Sequence, residues 1–166
     1  MHASHHQEIL LRFSGWWGND PKTRFQMQLQ PEFIPHGGVY SWQVSTPSIL
    51  SMTPLAASLK ILKEAGMDLI REKSKLQTTF LSEFLKLLPK DFFEVITPSD
   101  SESRGGQLSL LIHKNSEECL QKLEKLGAVC DFIPPNIIRV TLSPLYTTFY
   151  EIYQFGLKFM EALAVL

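Results

Sequence analysis

Two tryptophans, a threonine and an arginine are the side chains in this sequence best suited to hold an anion. Trp16 and Trp17 stand between Gly15 and Gly18 in "SGWWGNDPKTRFQM", residues 14–27, a stretch that suits neither helix nor strand. An indole N–H only donates, so it can serve a phosphate oxygen. So large a ring can equally anchor a packed surface loop. Thr46 adds a hydroxyl, and a helix beginning near Pro47 adds the positive end of a helix dipole. These donors describe a modest anion site. They are not a glycine-rich phosphate loop, and no Walker, Rossmann, HExxH or GxSxG pattern is present.

Arg139 sits in the middle of "IIRVTLS". Alternation puts Ile138, Val140 and Leu142 on one face, and Arg139 on the other with Ile137 and Thr141. Two readings are open on spacing alone. One is an exposed or ion-paired arginine on a solvated sheet face. The other is a fork gripping a carboxylate through two parallel N–H bonds.

The elements that must position these groups follow from periodicity and punctuation. Residues 1–46 carry Gly15, Gly18, Gly37, Gly38, Pro21, Pro31 and Pro35 and lack strong periodicity, so they read as a loop-rich segment. From residue 47 the pattern turns regular. Ser45 or Thr46 is expected to cap a first helix with Pro47 at its first position, Pro54 early in it or splitting it, and Gly66 as its stop. A second helix, "MDLIREKSKLQTTFLSEFLKLL", carries an apolar stripe of Ile70, Leu76, Phe80, Leu81, Phe84 and Leu88, ended by Pro89. "FFEVIT" and "QLSLLIH" read as strands. "NSEECLQKLEKLG" reads as a helix capped by Asn115, with Glu118 three residues on and Gly127 closing it. "VCDFI" is a short strand, "PPN" a turn and "IIRVTLS" a strand. Thr148 with Glu151 forms a capping box for "FYEIYQFGLKFMEAL". Strands joined by short turns favour a mostly antiparallel sheet covered by helices, an α+β design. The division is therefore 1–46, loop-rich, and 47–166, α+β.

Bulk properties narrow the function classes. With 166 residues, 44% hydrophobic and 20% charged, the chain suits a globular domain rather than disorder. A net charge of -1 argues against nucleic-acid binding. The apolar runs are too short to span a bilayer. Two cysteines, Cys119 and Cys130, with no CxxC, suit a reduced, cytoplasmic protein. His2, His5 and His6 cluster near the start without a further ligand nearby, so no metal site is expected.

Four ordered segments then carry a resemblance. "GWWGNDPKTRFQM", "STPSIL", "RGGQLSLL" and "LEKLGAVCDFIPPNIIRVTLSPLY" resemble, in order and spacing, the C-terminal part of kynureninases. "HASHHQEILLRFSG" falls within the same likeness, which makes a natural sequence a better account of the histidines than a partial tag. The resemblance implies the small C-terminal domain of a fold-type I, aspartate-aminotransferase-like enzyme. It also implies pyridoxal 5'-phosphate as cofactor and hydrolysis of L-kynurenine to anthranilate and L-alanine in tryptophan catabolism. A homodimer with sites at the subunit interface is implied too.

By the same resemblance Trp16 matches the tryptophan whose indole donates to the cofactor phosphate. Thr46 matches a Thr-or-Asn position that contacts that phosphate in the neighbouring subunit's site. Arg139 matches the arginine that holds the substrate α-carboxylate. Asn19 departs from the histidine that often follows this tryptophan loop. The family's Schiff-base lysine lies in a motif like "YKYLN", and none of the lysines here, Lys22 being nearest the loop, sits in one. The expectation is a chain that holds cofactor and substrate grips, contains no catalytic residue of its own, and is inactive alone. A separate large-domain chain is a possible partner. An alternative is a non-catalytic α+β dimerisation or binding module derived from that domain. The small domain of a cysteine desulfurase fits "GWWGNDPKTRFQM" poorly.

Overall fold

A computed structural model describes residues 2–5 and 11–164. The chain forms two compact units, Met1–Leu59 and Lys60–Leu166. The first holds short 3-10 turns, Arg24–Leu29 and Gly38–Trp42 among them, and an isolated bridge between Asn19 and Pro35. Helix α1, Ile49–Ala65, carries residues of both units.

The second unit is a helix-covered sheet. Strands β1 (Phe93–Val95), β2 (Gln107–Ile112), β3 (Asp131–Ile133) and β4 (Ile137–Thr141) pair in the order β1-β2-β4-β3, every pair antiparallel. Helices α2 (Met67–Lys86), α3 (Ser116–Lys125) and α4 (Phe149–Leu163) supply the rest of the core. Leu108, Leu110 and Ile112 from β2 and Ile138 and Val140 from β4 are buried with Leu81, Leu123, Ile152 and Phe159. Gly156 lies where α4 meets α2, and a Cβ there would come within 2.5 Å of the Phe84 ring. The Thr148–Glu151 capping box is formed in both directions.

Several sequence expectations need correction. The first helix starts at Ile49 rather than Pro47, and Met52 N–H donates to the Ser48 carbonyl at 3.0 Å. Neither Ser45 nor Thr46 is therefore its cap. Pro54 lies inside it and does not split it. The stripe on α2 is also displaced. Its buried face is Ser74, Gln77, Thr78, Leu81 and Leu85, while Leu76 and Phe80 are exposed. Polar residues take that face because they have internal partners: Gln77 Nε2 donates to the Thr147 carbonyl at 2.7 Å, and Thr78 Oγ1 to that of Ser74 at 2.9 Å. Asn115 stands at the N-cap of α3 but in the left-handed region, φ 48°, with no side-chain capping bond. The third strand begins at Asp131, leaving Cys130 outside it. Gly66 and Gly127 do stand at helix ends, with φ of 81° and 76°.

No residue of α1 is buried, although Ile49, Leu50, Met52, Leu55, Leu59 and Ile61 are all on it. An apolar helix without a buried face is ordinarily a core helix of something larger. Among the described residues no helix is long and apolar enough to cross a membrane.

Candidate functional site

The tryptophan loop is built on close backbone packing in the first unit. A Cβ on Gly15 would lie 2.0 Å from the Val44 carbonyl oxygen, and one on Gly18 2.7 Å from that of Ser41. Only glycine permits these approaches. Asn19 is 1% exposed and holds the loop: its Nδ2 donates to Thr23 Oγ1 at 3.1 Å and its Oδ1 accepts from Ile34 N–H at 3.2 Å. The amide thus serves the loop's own structure.

The two indoles have different surroundings. Trp17 Nε1 donates to Thr46 Oγ1 at 3.1 Å, and the Arg24 guanidinium lies over the Trp17 ring, 4.5 Å from its centroid. Arg24 Nη2 also donates to the Trp17 carbonyl at 3.3 Å. Trp16 is 55% exposed, tilted against Phe25 at 6.4 Å. Its indole N–H has no hydrogen bond among the described residues. It lines a cleft of about 520 Å³ with Gly15, Met27, Gln28 and Ser45. Thr46 is exposed, and with Trp17 as donor to its oxygen its own hydroxyl proton points elsewhere. A free indole donor and a free hydroxyl donor fit an anionic phosphate.

Arg139 lies in the second unit, on the sheet face away from the helices. It stands opposite Ser109 of β2 on one side and Asp131 of β3 on the other. Its Nη2 donates to Asp131 Oδ2 in an ion pair, the side chains being 38% and 55% exposed. Arg139 Nε is buried without a partner. Thr141 Oγ1 donates to Gln107 Oε1 at 3.3 Å in the next row. Sequence reading missed Asp131 and Ser109. The "PPN" turn was the available signal, since a hairpin about Pro135 sets residues 131 and 139 opposite one another.

Arg104, from "RGGQLSLL", does a different job. It is 9% exposed and donates to the Pro98 and Ser99 carbonyls at 3.2 and 2.8 Å and to Thr78 and Thr79 hydroxyls at 3.4 and 3.1 Å. It ties the β1–β2 connection to α2. At the chain start His2 Nδ1 meets Ser4 Oγ at 2.8 Å, while His6 lies outside the described residues. No group of three or more His, Cys, Asp or Glu side chains among the described residues is placed to hold a metal.

Residues 70–158 match the kynureninase C-terminal domain model. The chain belongs to the kynureninase family. It is 42% identical to the kynureninase of Myxococcus xanthus over 156 residues, covering 93% of this chain and 36% of that protein. It is 45% identical to kynureninase 2 of Neurospora crassa over 159 residues, covering 93% and 33%. The chain thus spans about a third of the length of the curated kynureninases it matches. Among solved structures, a C-DES mutant with glycine covalently linked to the PLP cofactor matches 97% of this chain and 40% of its own at TM-score 0.71 and 18% identity. The Escherichia coli cysteine desulfurase CsdA matches 81% and 35% at TM-score 0.66 and 16% identity. These likenesses establish the α+β fold of the fold-type I pyridoxal phosphate enzymes.

Proposed function

We propose that this chain supplies the cofactor-phosphate and substrate-carboxylate grips of a kynureninase, and turns over no substrate by itself. The observation that carries the reading is the kynureninase C-terminal domain match together with free donors on Trp16 and Thr46. The cofactor would be pyridoxal 5'-phosphate and the substrate L-kynurenine, cleaved to anthranilate and L-alanine. When bound, the cofactor supplies the electron sink for the cleavage. Trp16 would donate to its phosphate, Thr46 would reach the phosphate in the neighbouring subunit's site, and Arg139 would hold the substrate α-carboxylate. No lysine here sits in a motif like "YKYLN", so the amine that anchors the cofactor would come from another segment or chain.

The wholly unburied α1 supports a partner, either a second copy or a separate large-domain chain. It equally favours the second reading, a non-catalytic dimerisation module. Two unpaired thiols suit the cytoplasm.

The test is to titrate the purified chain with pyridoxal phosphate, follow cofactor absorbance and protein heat together, and assay anthranilate release. Weak binding that is lost in Trp16→Phe and Thr46→Val, with no anthranilate, is expected. Turnover by the chain alone overturns the inactivity. Binding that is indifferent to both substitutions overturns the phosphate grip and leaves the dimerisation module. Light scattering at high concentration is expected to show self-association, and a monomer counts against a second copy as the partner and against the dimerisation module.

A further inference from the structure

Arg139 does not stand empty. Ser109, Arg139 and Asp131 form one row across three adjacent strands: hydroxyl, guanidinium, carboxylate. Asp131 already holds Nη2. The opposite edge of the guanidinium is closed, because Nε is buried. Only the Nη1–Nη2 end of the fork is open to a ligand. Nη2 has two N–H donors, so a two-bond grip on an incoming carboxylate at that end shares this nitrogen with Asp131. A second carboxylate placed there also meets the first, like charge against like.

We propose that Asp131 is a resident competitor at Arg139. Its charge, seated on the shared nitrogen, lowers the affinity of the open sheet face for a second carboxylate. This rests on the reading of Arg139 as a carboxylate grip. Asp131 acts on the ligand only through Arg139. The pair is weak enough to yield: both partners are more than a third exposed, so water screens their attraction. Displaced, the Asp131 carboxylate turns to solvent from the edge strand β3, where no other described side chain holds it. Ser109 stands on the other flank of Arg139, where its Oγ accepts from Gln107 Nε2 at 3.5 Å.

The experiment is an NMR titration of the ¹⁵N-labelled chain with L-kynurenine, reading the Arg139 Nε–H signal. A matched titration uses the analogue that lacks the carboxylate. Asp131→Asn keeps the shape of the side chain and removes its charge. Affinity for L-kynurenine should rise about two- to fivefold, the range an exposed ion pair spans, with no gain for the analogue. Asp131→Ala should show the same gain. Unchanged or weaker binding in both variants, or binding detected in neither, overturns the proposal; weakening would make Asp131 a prop for the guanidinium. Arg139→Lys, followed by the backbone amide signals of residues 107–111 and 137–141, separates the two ideas. If it binds L-kynurenine as the parent does, the carboxylate grip itself is wrong.

Discussion

The indole of Trp17 donates to the hydroxyl of Thr46 at 3.1 Å, across 29 positions of the chain. Of the paired tryptophans, the second therefore closes the loop onto the segment leading into α1. The first is left with a free donor. The two should separate under mutation. Trp17→Phe removes the bond and weakens the stacking of Arg24, so it should loosen the loop by roughly 0.5–1.5 kcal/mol, the net worth of one hydrogen bond. Trp16→Phe should leave loop stability unchanged. Amide exchange at residues 15–19, compared among the parent and both variants, reads this directly. Equal loosening by both substitutions would contradict the division of labour.

Arg104 predicts a larger loss. It is a nearly buried cation whose four hydrogen bonds go to two carbonyls and two hydroxyls. Lysine has the charge but not the fork, so it cannot reach both carbonyls and both hydroxyls at once. Arg104→Lys should cost roughly 2–4 kcal/mol in urea unfolding, from charged hydrogen bonds lost and acceptors left unpaired. Arg71 Nη1 donates to the Arg104 carbonyl at 2.9 Å, so the segment keeps one tether. The unit should still fold, at a lower midpoint.

The sheet was legible because alternation in "QLSLLIH" and "IIRVTLS" is a strong period-two signal, and β2 and β4 bury the faces it assigns. The last helix was legible because Thr148 and Glu151 carry their cap within four residues. The face of α2 was not. Gln77 and Thr78 are buried by partners in a distant loop and in their own helix, and no local pattern announces that. The start of α1 was misplaced because Pro47 suits a first helical position wherever a helix begins nearby. In the candidate site the donor types were readable from Trp16, Thr46 and Arg139. The pairing of Trp17 with Thr46, and of Arg139 with Asp131, depends on loop closure and register.

The cap of α4 gives a prediction in acid. The Thr148 backbone N–H and hydroxyl both donate to Glu151 and hold its carboxyl below the usual range. A lowered folded pKa means the contribution is present above the unfolded value and is lost as pH falls through the folded one. Thermal stability of the parent should therefore drop on acidification in part through this cap. Glu151→Gln should flatten that part of the profile. Thr148→Ala should cost roughly 1 kcal/mol at neutral pH, the ordinary worth of an N-cap. A parent and a Glu151→Gln variant with identical acid profiles would rule out the carboxylate as the source.

The cysteines give the opposite sign. Burial pushes the Cys119 thiol up to about 11, with Cys130 nearby adding to it. Cys130 is likewise raised to about 11, by burial and then by the charge of Glu124. Both thiols are neutral in the fold while an unfolded chain ionises them near the ordinary thiol value, about 8.5. A raised folded pKa means the stability is fully present below the unfolded value. It is lost as pH rises through the folded one. Unfolding free energy should therefore fall between about pH 9 and 11, and less so in Cys119→Ala measured against its own neutral-pH value. Alkylation by iodoacetamide should be slow at pH 8, where the thiolate is scarce, and should accelerate through that same window. Rapid labelling of Cys119 at pH 8 in the folded chain would show that burial does not hold its proton.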